Sequence, residues 1–153
     1  MKFIITNRFN VEQYVNKIER YAVISITSPY NEFPMLQPGY IDVLRLKFLD
    51  MDLNDDYYSR SKWEGYNPIS REDAGKIIDF SEINIDRVNL FIVNCNAGIS
   101  RSSGIAAALS KIYNGDDSWV FKDRRYYPNM RVYRYILDEA FKRHLIDIPE
   151  RVG

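Results

Sequence analysis

Four apolar runs rich in β-branched residues are the feature that most limits the folds open to this 153-residue chain. They cover residues 2–6, 21–27, 41–49 and 90–93, and the stretches between and after them have helical spacing. Strands that alternate with helices usually pair in parallel, because a helical connection returns the chain to the same end of the sheet. The pattern therefore predicts one α/β domain over residues 1–153, with a mostly parallel central sheet and helices on both faces.

Capping residues predict where the helices begin. Asn10 is a suitable N-cap for a first helix, and Asn129 is one for the last. Ser70 precedes a second helix, and Asp73 three residues later completes a shortened capping box. Together with the apolar spacing, these caps predict helices over residues 10–19, 70–81, 102–113 and 129–141.

The stretch that leaves the fourth run is the most informative. Residues 90–93 lead to Cys95, the only cysteine, and Arg101 six positions later opens a run of small residues with helical character. A strand, a tight loop and a helix N-terminus form an anion site, because first-turn amides have no intrahelical partner and the helix dipole is positive there. Amides and a guanidinium also favour the thiolate form of a cysteine, and arginine can bind two oxygens of one phosphate or sulfate. These residues therefore indicate a cysteine nucleophile that faces a bound oxyanion.

The same residues resemble a known family. Residues 93–103 read Val-Asn-Cys-Asn-Ala-Gly-Ile-Ser-Arg-Ser-Ser. Cys95, five intervening residues, Arg101 and a following serine resemble the signature loop of cysteine-dependent protein tyrosine phosphatases, most closely the compact dual-specificity branch. Residues 124–129 are similar to the basic, proline-asparagine segment that leads into the last helix of that family. The resemblance is sharpest from about residue 41 to residue 113, and it implies the same α/β fold.

The resemblance implies a role for each part of the loop. Cys95 would attack phosphorus and form a phosphocysteine intermediate, and Arg101 would bind two phosphate oxygens. The hydroxyl of Ser102 would help Cys95 to leave, although a plain helix-start serine is the alternative. Gly98 would let the backbone bend around the phosphate. The expected phosphate-binding residues are Asn96, Ala97, Gly98, Ile99, Ser100, Arg101 and Ser102.

The family protonates the leaving group with an aspartate on a loop that follows an earlier strand. Asp50 directly follows the strand of residues 44–49 and is the first choice. Asp52 and Asp55 stay open, because this segment is longer than the family pattern; all three could also merely end a strand and solvate a turn. Asn94 is a departure, since the family has histidine there. Asparagine cannot carry a charge, which predicts weaker activity or activity shifted to higher pH.

Two further groups of side chains have a functional and a structural interpretation. Tyr57, Tyr58, Trp63 and Tyr66 lie in a long loop, and such loops are often functional. These rings could wall a pocket for a phenyl phosphate or pin their own loop to the protein. Basic residues near the last helix could hold phospholipid headgroups or RNA, but a solvated helix face is the expectation. They are Lys122, Arg124, Arg125, Arg131 and Arg134.

Composition narrows the class of protein. Lys+Arg and Asp+Glu number 21 each, so net charge does not favour nucleic acid or acidic membranes as partners. One cysteine excludes an internal disulfide and a metal site built from several thiolates. No apolar run is long enough to span a bilayer, and the start turns polar too soon for a signal peptide. A cytoplasmic protein is the expectation.

The predicted function is a cysteine-dependent phosphatase that acts on phosphotyrosine in a phosphoprotein or phosphopeptide, with or without phosphoserine and phosphothreonine. It would need no metal and no organic cofactor. One alternative is a catalytically weak phosphate-binding module, which Asn94 and the open choice of acid support. The other is a phosphatase for RNA 5′-phosphate or phosphoinositide, which the absence of lysine from residues 96–100 disfavours. The sequence leaves the oligomeric state open.

Overall fold

The computed structural model describes residues 1–52 and 66–147, and in these ranges it confirms the predicted alternation of strands and helices. The strands are β1 (Lys2–Asn7), β2 (Tyr21–Thr27), β3 (Asp42–Lys47) and β4 (Leu90–Cys95). The helices are α1 (Arg8–Val11), α2 (Arg71–Asn84), α3 (Arg101–Asn114), α4 (Ser118–Phe121) and α5 (Met130–Lys142). None of these helices is long and apolar enough to cross a lipid bilayer.

The strands form a parallel sheet in the order β1-β4-β2-β3. β4 lies between β1 and β2, so that Ile92 pairs with Ile4 on one side and with Val23 on the other. The last residue of β4, Cys95, pairs with Asn7 at the end of β1. The strand order therefore places Cys95 at the carboxyl edge of a central strand, where parallel α/β sheets bind their ligands.

Both faces of the sheet are covered, as the sequence predicts. Side chains of β4 alternate between two cores: Phe91, Val93 and Cys95 enter the larger one, and Leu90 and Ile92 enter the smaller one. The larger core is closed by the apolar faces of α2, α3 and α5, and the smaller core by α1 and the loop before β3. This arrangement is the predicted α/β fold with helices on both faces of a parallel sheet.

Two of the predicted helix starts are confirmed by their caps. The amide of Asp73 donates to Oγ of Ser70 and the amide of Ser70 donates to Oδ2 of Asp73, both at 3.0 Å. This reciprocal capping box begins α2. Asn129 caps α5, because its Oδ1 accepts the amide of Val132 at 3.0 Å.

The predicted first helix is wrong. Instead of a helix over residues 10–19, the chain forms the single turn of α1, and its N-cap is Asn7. The side chain of Asn16 accepts the amides of Ile18 and Glu19 at 2.9 and 2.8 Å, which turns the chain where the helix was expected to continue. Val11 and Tyr14 pack in the smaller core, but Ile18 is 96% exposed, so the apolar spacing does not mark one continuous packed face.

Candidate active site

The loop of residues 96–100 joins the end of β4 to the start of α3. Gly98 has a φ of +71°, a conformation that side chains rarely adopt. A Cβ at this position would lie 2.7 Å from the carbonyl carbon of Thr6 and 2.8 Å from the amide nitrogen of Asn7. Such a contact is too close for any real side chain. Glycine is therefore required both by the bend of the loop and by the end of β1 behind it.

The backbone of this loop turns its oxygens towards the rest of the protein. Backbone amides donate hydrogen bonds to three of these carbonyl oxygens: Arg8 to Asn96 at 3.2 Å, Tyr127 to Ile99 at 2.9 Å and Asn129 to Ser100 at 3.0 Å. The amides of residues 97–100, in contrast, donate to no acceptor within residues 1–52 and 66–147. Three of the loop's carbonyls are thus engaged while its amides remain available as donors, which suits an anion.

Cys95 lies at the base of this loop and is almost fully buried. Its Sγ is 3.0 Å from Oγ of Ser102, in the first turn of α3. Either atom could donate in this contact. When the sulfur is a thiolate, the hydroxyl must be the donor, and the hydrogen bond then stabilises the negative charge. The hydroxyl of Ser102, for which the resemblance implies a role in the departure of Cys95, thus lies within hydrogen-bonding distance of Sγ.

Arg101 is buried at the other end of the loop, with 5% of its surface exposed. Its Nη1 donates to the carbonyl oxygen of Phe48 at 2.8 Å and to Oγ of Ser28 at 3.0 Å. Its Nε is buried without a partner, and no carboxylate in the described ranges forms an ion pair with it. A buried cation held only by neutral acceptors is costly unless an anion joins it. The site therefore favours a bound oxyanion.

Ser28 is a site residue that the sequence analysis missed. Its buried Oγ accepts hydrogen bonds from Arg101 Nη1 and, at 3.2 Å, from Asn96 Nδ2, which also donates to Oδ1 of Asn31 at 3.1 Å. Ser28 thus holds the guanidinium and the first residue of the loop together. One signal could have indicated it: Ser28 directly follows β2, and the carboxyl ends of adjacent parallel strands meet at one edge.

Asp50, the first-choice acid, lies beside the loop and is exposed. Its Oδ1 accepts hydrogen bonds from Oγ of Ser100 and from Nδ2 of Asn129, both at 2.8 Å. Asn129 also donates to the carbonyl oxygen of Met51 at 3.2 Å. The segment after β3 is therefore hydrogen-bonded both to the loop of residues 96–100 and to the start of α5. These bonds place the carboxylate of Asp50 next to that loop.

Asp52 has a different environment. Its Oδ1 accepts the amides of Met130 and Arg131 at 2.7 and 2.9 Å, the first two residues of α5. A carboxylate at this position satisfies free amides of the helix and interacts favourably with the helix dipole. These contacts give Asp52 a structural task away from the loop. Asp55, the third candidate, lies outside the described residues.

The aromatic and basic groups are placed only in part. Tyr57, Tyr58 and Trp63 lie outside the described residues, and Tyr66 is exposed. The expectation of a solvated basic face is wrong for Arg131, which is fully buried and donates to the carbonyl oxygen of Ile69 at 3.0 and 3.1 Å. The basic residues before α5 are exposed, and one of them, Arg125, pairs with Asp123 at 2.7 Å. The fold thus splits the basic cluster.

Asn94, the departure from the family pattern, is fully buried. Both polar atoms of its side chain lack a hydrogen-bond partner within the described residues. It pairs across the sheet with Ser25, whose buried hydroxyl is likewise without a partner. Because neighbours on a strand alternate, the Asn94 side chain lies on the opposite face of the sheet from Cys95.

No family model matches the sequence, and no curated protein matches it. Solved structures do match the fold. The mouse protein crystallised as a dual specificity phosphatase complexed with zinc tungstate has a TM-score of 0.60 at 15% identity, over 95% of this chain and 87% of that one. The chain has the dual-specificity phosphatase fold. The human tyrosine phosphatase-like serine/threonine/tyrosine-interacting protein has a TM-score of 0.54 at 17% identity, over 83% of this chain and 80% of that one.

A third structure, PTPMT1 in complex with PI(5)P, has a TM-score of 0.51 at 17% identity, over 82% of this chain and 78% of that one.

In the dual-specificity phosphatase fold of this chain, one loop brings Cys95, Arg101 and Ser102 together. Asp50 accepts a hydrogen bond from Ser100 of that loop, and Ser28 accepts hydrogen bonds from Asn96 and Arg101. This arrangement brings a thiol, a buried guanidinium and an exposed carboxylate to one loop.

Proposed function

We propose that this chain is a cysteine-dependent phosphatase that hydrolyses phosphotyrosine in proteins or peptides, with residues 1–153 as its catalytic domain. One observation carries the proposal: Cys95 and a buried Arg101 lie at the two ends of one loop. Within residues 1–52 and 66–147, Arg101 forms no ion pair with a carboxylate and the amides of residues 97–100 have no acceptor. A phosphate bound by that loop lies against the sulfur. Cytoplasmic phosphoproteins as substrates belong to the same proposal.

In the first step, the Cys95 thiolate attacks phosphorus and the bond from phosphorus to the ester oxygen breaks. Arg101 and the amides of residues 97–100 bind the non-bridging oxygens, whose negative charge they stabilise as that bond breaks. The departing oxygen takes a proton from the carboxyl group of Asp50, which lies beside the loop. The products are a phosphocysteine and the free hydroxyl of the substrate.

In the second step, water attacks phosphorus and the bond from phosphorus to sulfur breaks. Asp50, now a carboxylate, accepts a proton from that water. The hydroxyl of Ser102, 3.0 Å from Sγ, donates a hydrogen bond to the departing thiolate. Inorganic phosphate leaves and the thiolate is restored. Phosphoserine and phosphothreonine can follow the same steps, but their alkoxide leaving groups depend more strongly on the acid.

A phosphate-binding module with little turnover is the second candidate. The observations that favour it are the uncharged Asn94, which precedes Cys95 in β4, and the two hydrogen bonds that hold Oδ1 of Asp50. The intact pair of Cys95 and Arg101 favours the enzyme. Turnover therefore decides between the two.

The test is hydrolysis of a phosphotyrosine peptide and of a small aryl phosphate with a good leaving group, over roughly pH 5 to 8. Cys95→Ser should lower turnover by at least about a thousandfold. Asp50→Asn should slow the peptide by about a hundredfold and the aryl phosphate less, because a good leaving group needs little protonation. Asp52→Asn is the matched control and should leave both rates unchanged.

Each other outcome has a defined meaning. If Asp50→Asn leaves the peptide rate unchanged, Asp50 is not the acid. If the wild type binds the phosphopeptide without Cys95-dependent turnover, the chain is a binding module. If RNA 5′-phosphate or a phosphoinositide is hydrolysed much faster than the peptide, the proposed substrate class is wrong while the mechanism stands.

A further inference from the structure

Exposed apolar side chains border the candidate phosphate loop. Tyr127 is 82% exposed, Tyr30 is 66% exposed and Ile99 is 45% exposed. Single exposed apolar residues are common on protein surfaces. These three, which we call the apolar rim, differ because each belongs to the phosphate loop, is hydrogen-bonded to it or directly precedes a residue that is.

The hydrogen bonds of the loop define where the apolar rim lies. Tyr30 precedes Asn31, whose Oδ1 accepts Nδ2 of Asn96 at 3.1 Å. Ile99 is part of the loop itself, and its carbonyl oxygen accepts the amide of Tyr127 at 2.9 Å. The apolar rim therefore has members near both ends of the loop, one near Cys95 and two near Arg101.

We propose that the apolar rim binds apolar residues that flank the phosphorylated residue of a protein substrate. The inference rests on the proposed function and adds the sequence preference of its substrates. A phosphate in the loop is covalently attached to its substrate, so the residues on either side of the phosphorylated one must cross the loop's border. Tyrosine rings offer large contact areas with little conformational entropy to lose, which suits such a surface.

The charges at this border favour a peptide over a phosphoinositide. Headgroups with several phosphates are bound by clusters of lysine and arginine. Residues 96–100 contain neither, and the side chains of the apolar rim are uncharged. The exposed carboxylate of Asp50, bonded to Ser100, adds negative charge at the same border. Beside Ser100 that carboxylate would repel a further phosphate, whereas the exposed Arg124 and Arg125 lie close to Tyr127 in the chain.

The experiment uses two phosphotyrosine peptides that differ only at the flanking positions, with leucine and phenylalanine in one and serine and glycine in the other. Wild type should have about a tenfold higher kcat/KM for the apolar peptide, through KM. Tyr127→Ser and Tyr30→Ser should each reduce that preference about threefold to fivefold without a change in kcat, because the contacts are equal in ground and transition states.

Two controls separate the apolar rim from the catalytic machinery. Hydrolysis of a small aryl phosphate, which does not extend to the border, should be unchanged in both variants. Ile83→Ser removes a side chain that is 60% exposed on α2, and it should not change the peptide preference. A loss of aryl phosphate turnover in the rim variants would show damage to the loop and overturn the proposal.

Binding keeps the test independent of turnover. Affinities of the two peptides for Cys95→Ser, measured by calorimetry, should differ as KM does, and the rim variants should remove the difference. If wild type hydrolyses nothing, the proposed enzyme fails while the affinity ratio still tests the apolar rim. Equal affinities overturn the proposal. So does tighter, rim-dependent binding to phosphatidylcholine vesicles that carry a phosphatidylinositol monophosphate, which would assign the apolar rim to lipid.

Discussion

The carboxyl edge of the sheet and its helix-covered face differ in how many buried polar atoms lack a hydrogen-bond partner. Under α2, α3 and α5 the buried side chains are mostly apolar, and residues such as Ile78 and Ile136 have no exposed surface. The hydroxyl of Tyr113 on α3 is a buried polar group there that lacks a partner within the described residues. At the carboxyl edge, several buried polar atoms have no hydrogen-bond partner within the described residues. They are Ser25 Oγ, Thr27 Oγ1, both polar atoms of the Asn94 side chain, Asn96 Oδ1 and Arg101 Nε.

Each unpartnered buried polar atom costs about 1 to 3 kcal/mol of stability. Proteins retain such groups mainly where function requires them, and other parts of the fold compensate. The comparison therefore assigns stability to the helix-covered face and activity to the carboxyl edge. Substitutions in the two regions should separate these properties.

The largest effect is expected for Arg101→Lys. Lysine keeps the charge but cannot bind two phosphate oxygens with one planar group, so kcat/KM should fall about a thousandfold, or roughly 4 kcal/mol of transition-state stabilisation. Steady-state kinetics on an aryl phosphate measures it. The matched control is Arg71→Lys in an exposed ion pair with Asp138, which should leave the rate unchanged. A rate loss of less than tenfold would contradict bidentate binding.

On the helix-covered face, Ile78→Ala should lower the free energy of unfolding by about 3 kcal/mol, because it leaves a cavity in a close-packed core. The folded fraction should retain the wild-type rate. Urea denaturation measures the stability, and Ile83→Ala on the exposed side of the same helix serves as the control. A large loss of activity per folded molecule would contradict the assignment of stability to the helix-covered face and of activity to the carboxyl edge.

Asn94→Leu should raise the free energy of unfolding by about 1.5 kcal/mol, because leucine is similar in size and removes two buried atoms that lack partners. Thermal and urea denaturation of the variant and the wild type measure the change. Ile92 lies two positions before Asn94 on the same face of β4, and Ile92→Val is a control that should lower stability slightly. A less stable Asn94→Leu protein would show that the amide is hydrogen-bonded, and it would remove Asn94 from the comparison.

The smallest effect is expected where the two regions meet. Asp52→Ala removes the acceptor for two amides at the start of α5 and should lower the free energy of unfolding by about 1 kcal/mol, with little change in rate. Asp50→Ala should instead lower the rate of peptide hydrolysis, by about the hundredfold expected for Asp50→Asn. Urea denaturation and peptide hydrolysis of both variants, measured together, show whether two aspartates two positions apart divide these tasks.

Features that depend on nearby residues were predictable. The capping box of Ser70 and Asp73 spans four positions, and the loop from Cys95 to Arg101 spans seven. Both were identified from sequence because the interacting groups are neighbours along the chain. The first helix shows the limit of such patterns. Its apolar spacing was present, but the side chain of Asn16 bonded to nearby amides and turned the chain.

By itself, the sequence determined the α/β class and the loop that holds Cys95 and Arg101, because strand alternation, caps and loop length act within a few residues. Only the tertiary structure decided that Ser28, 73 positions before Arg101, holds its guanidinium. It also decided that Asp52 caps a helix 78 positions away. Such pairs meet because parallel strands end at one edge of the sheet, and strand order is set by packing over the whole chain.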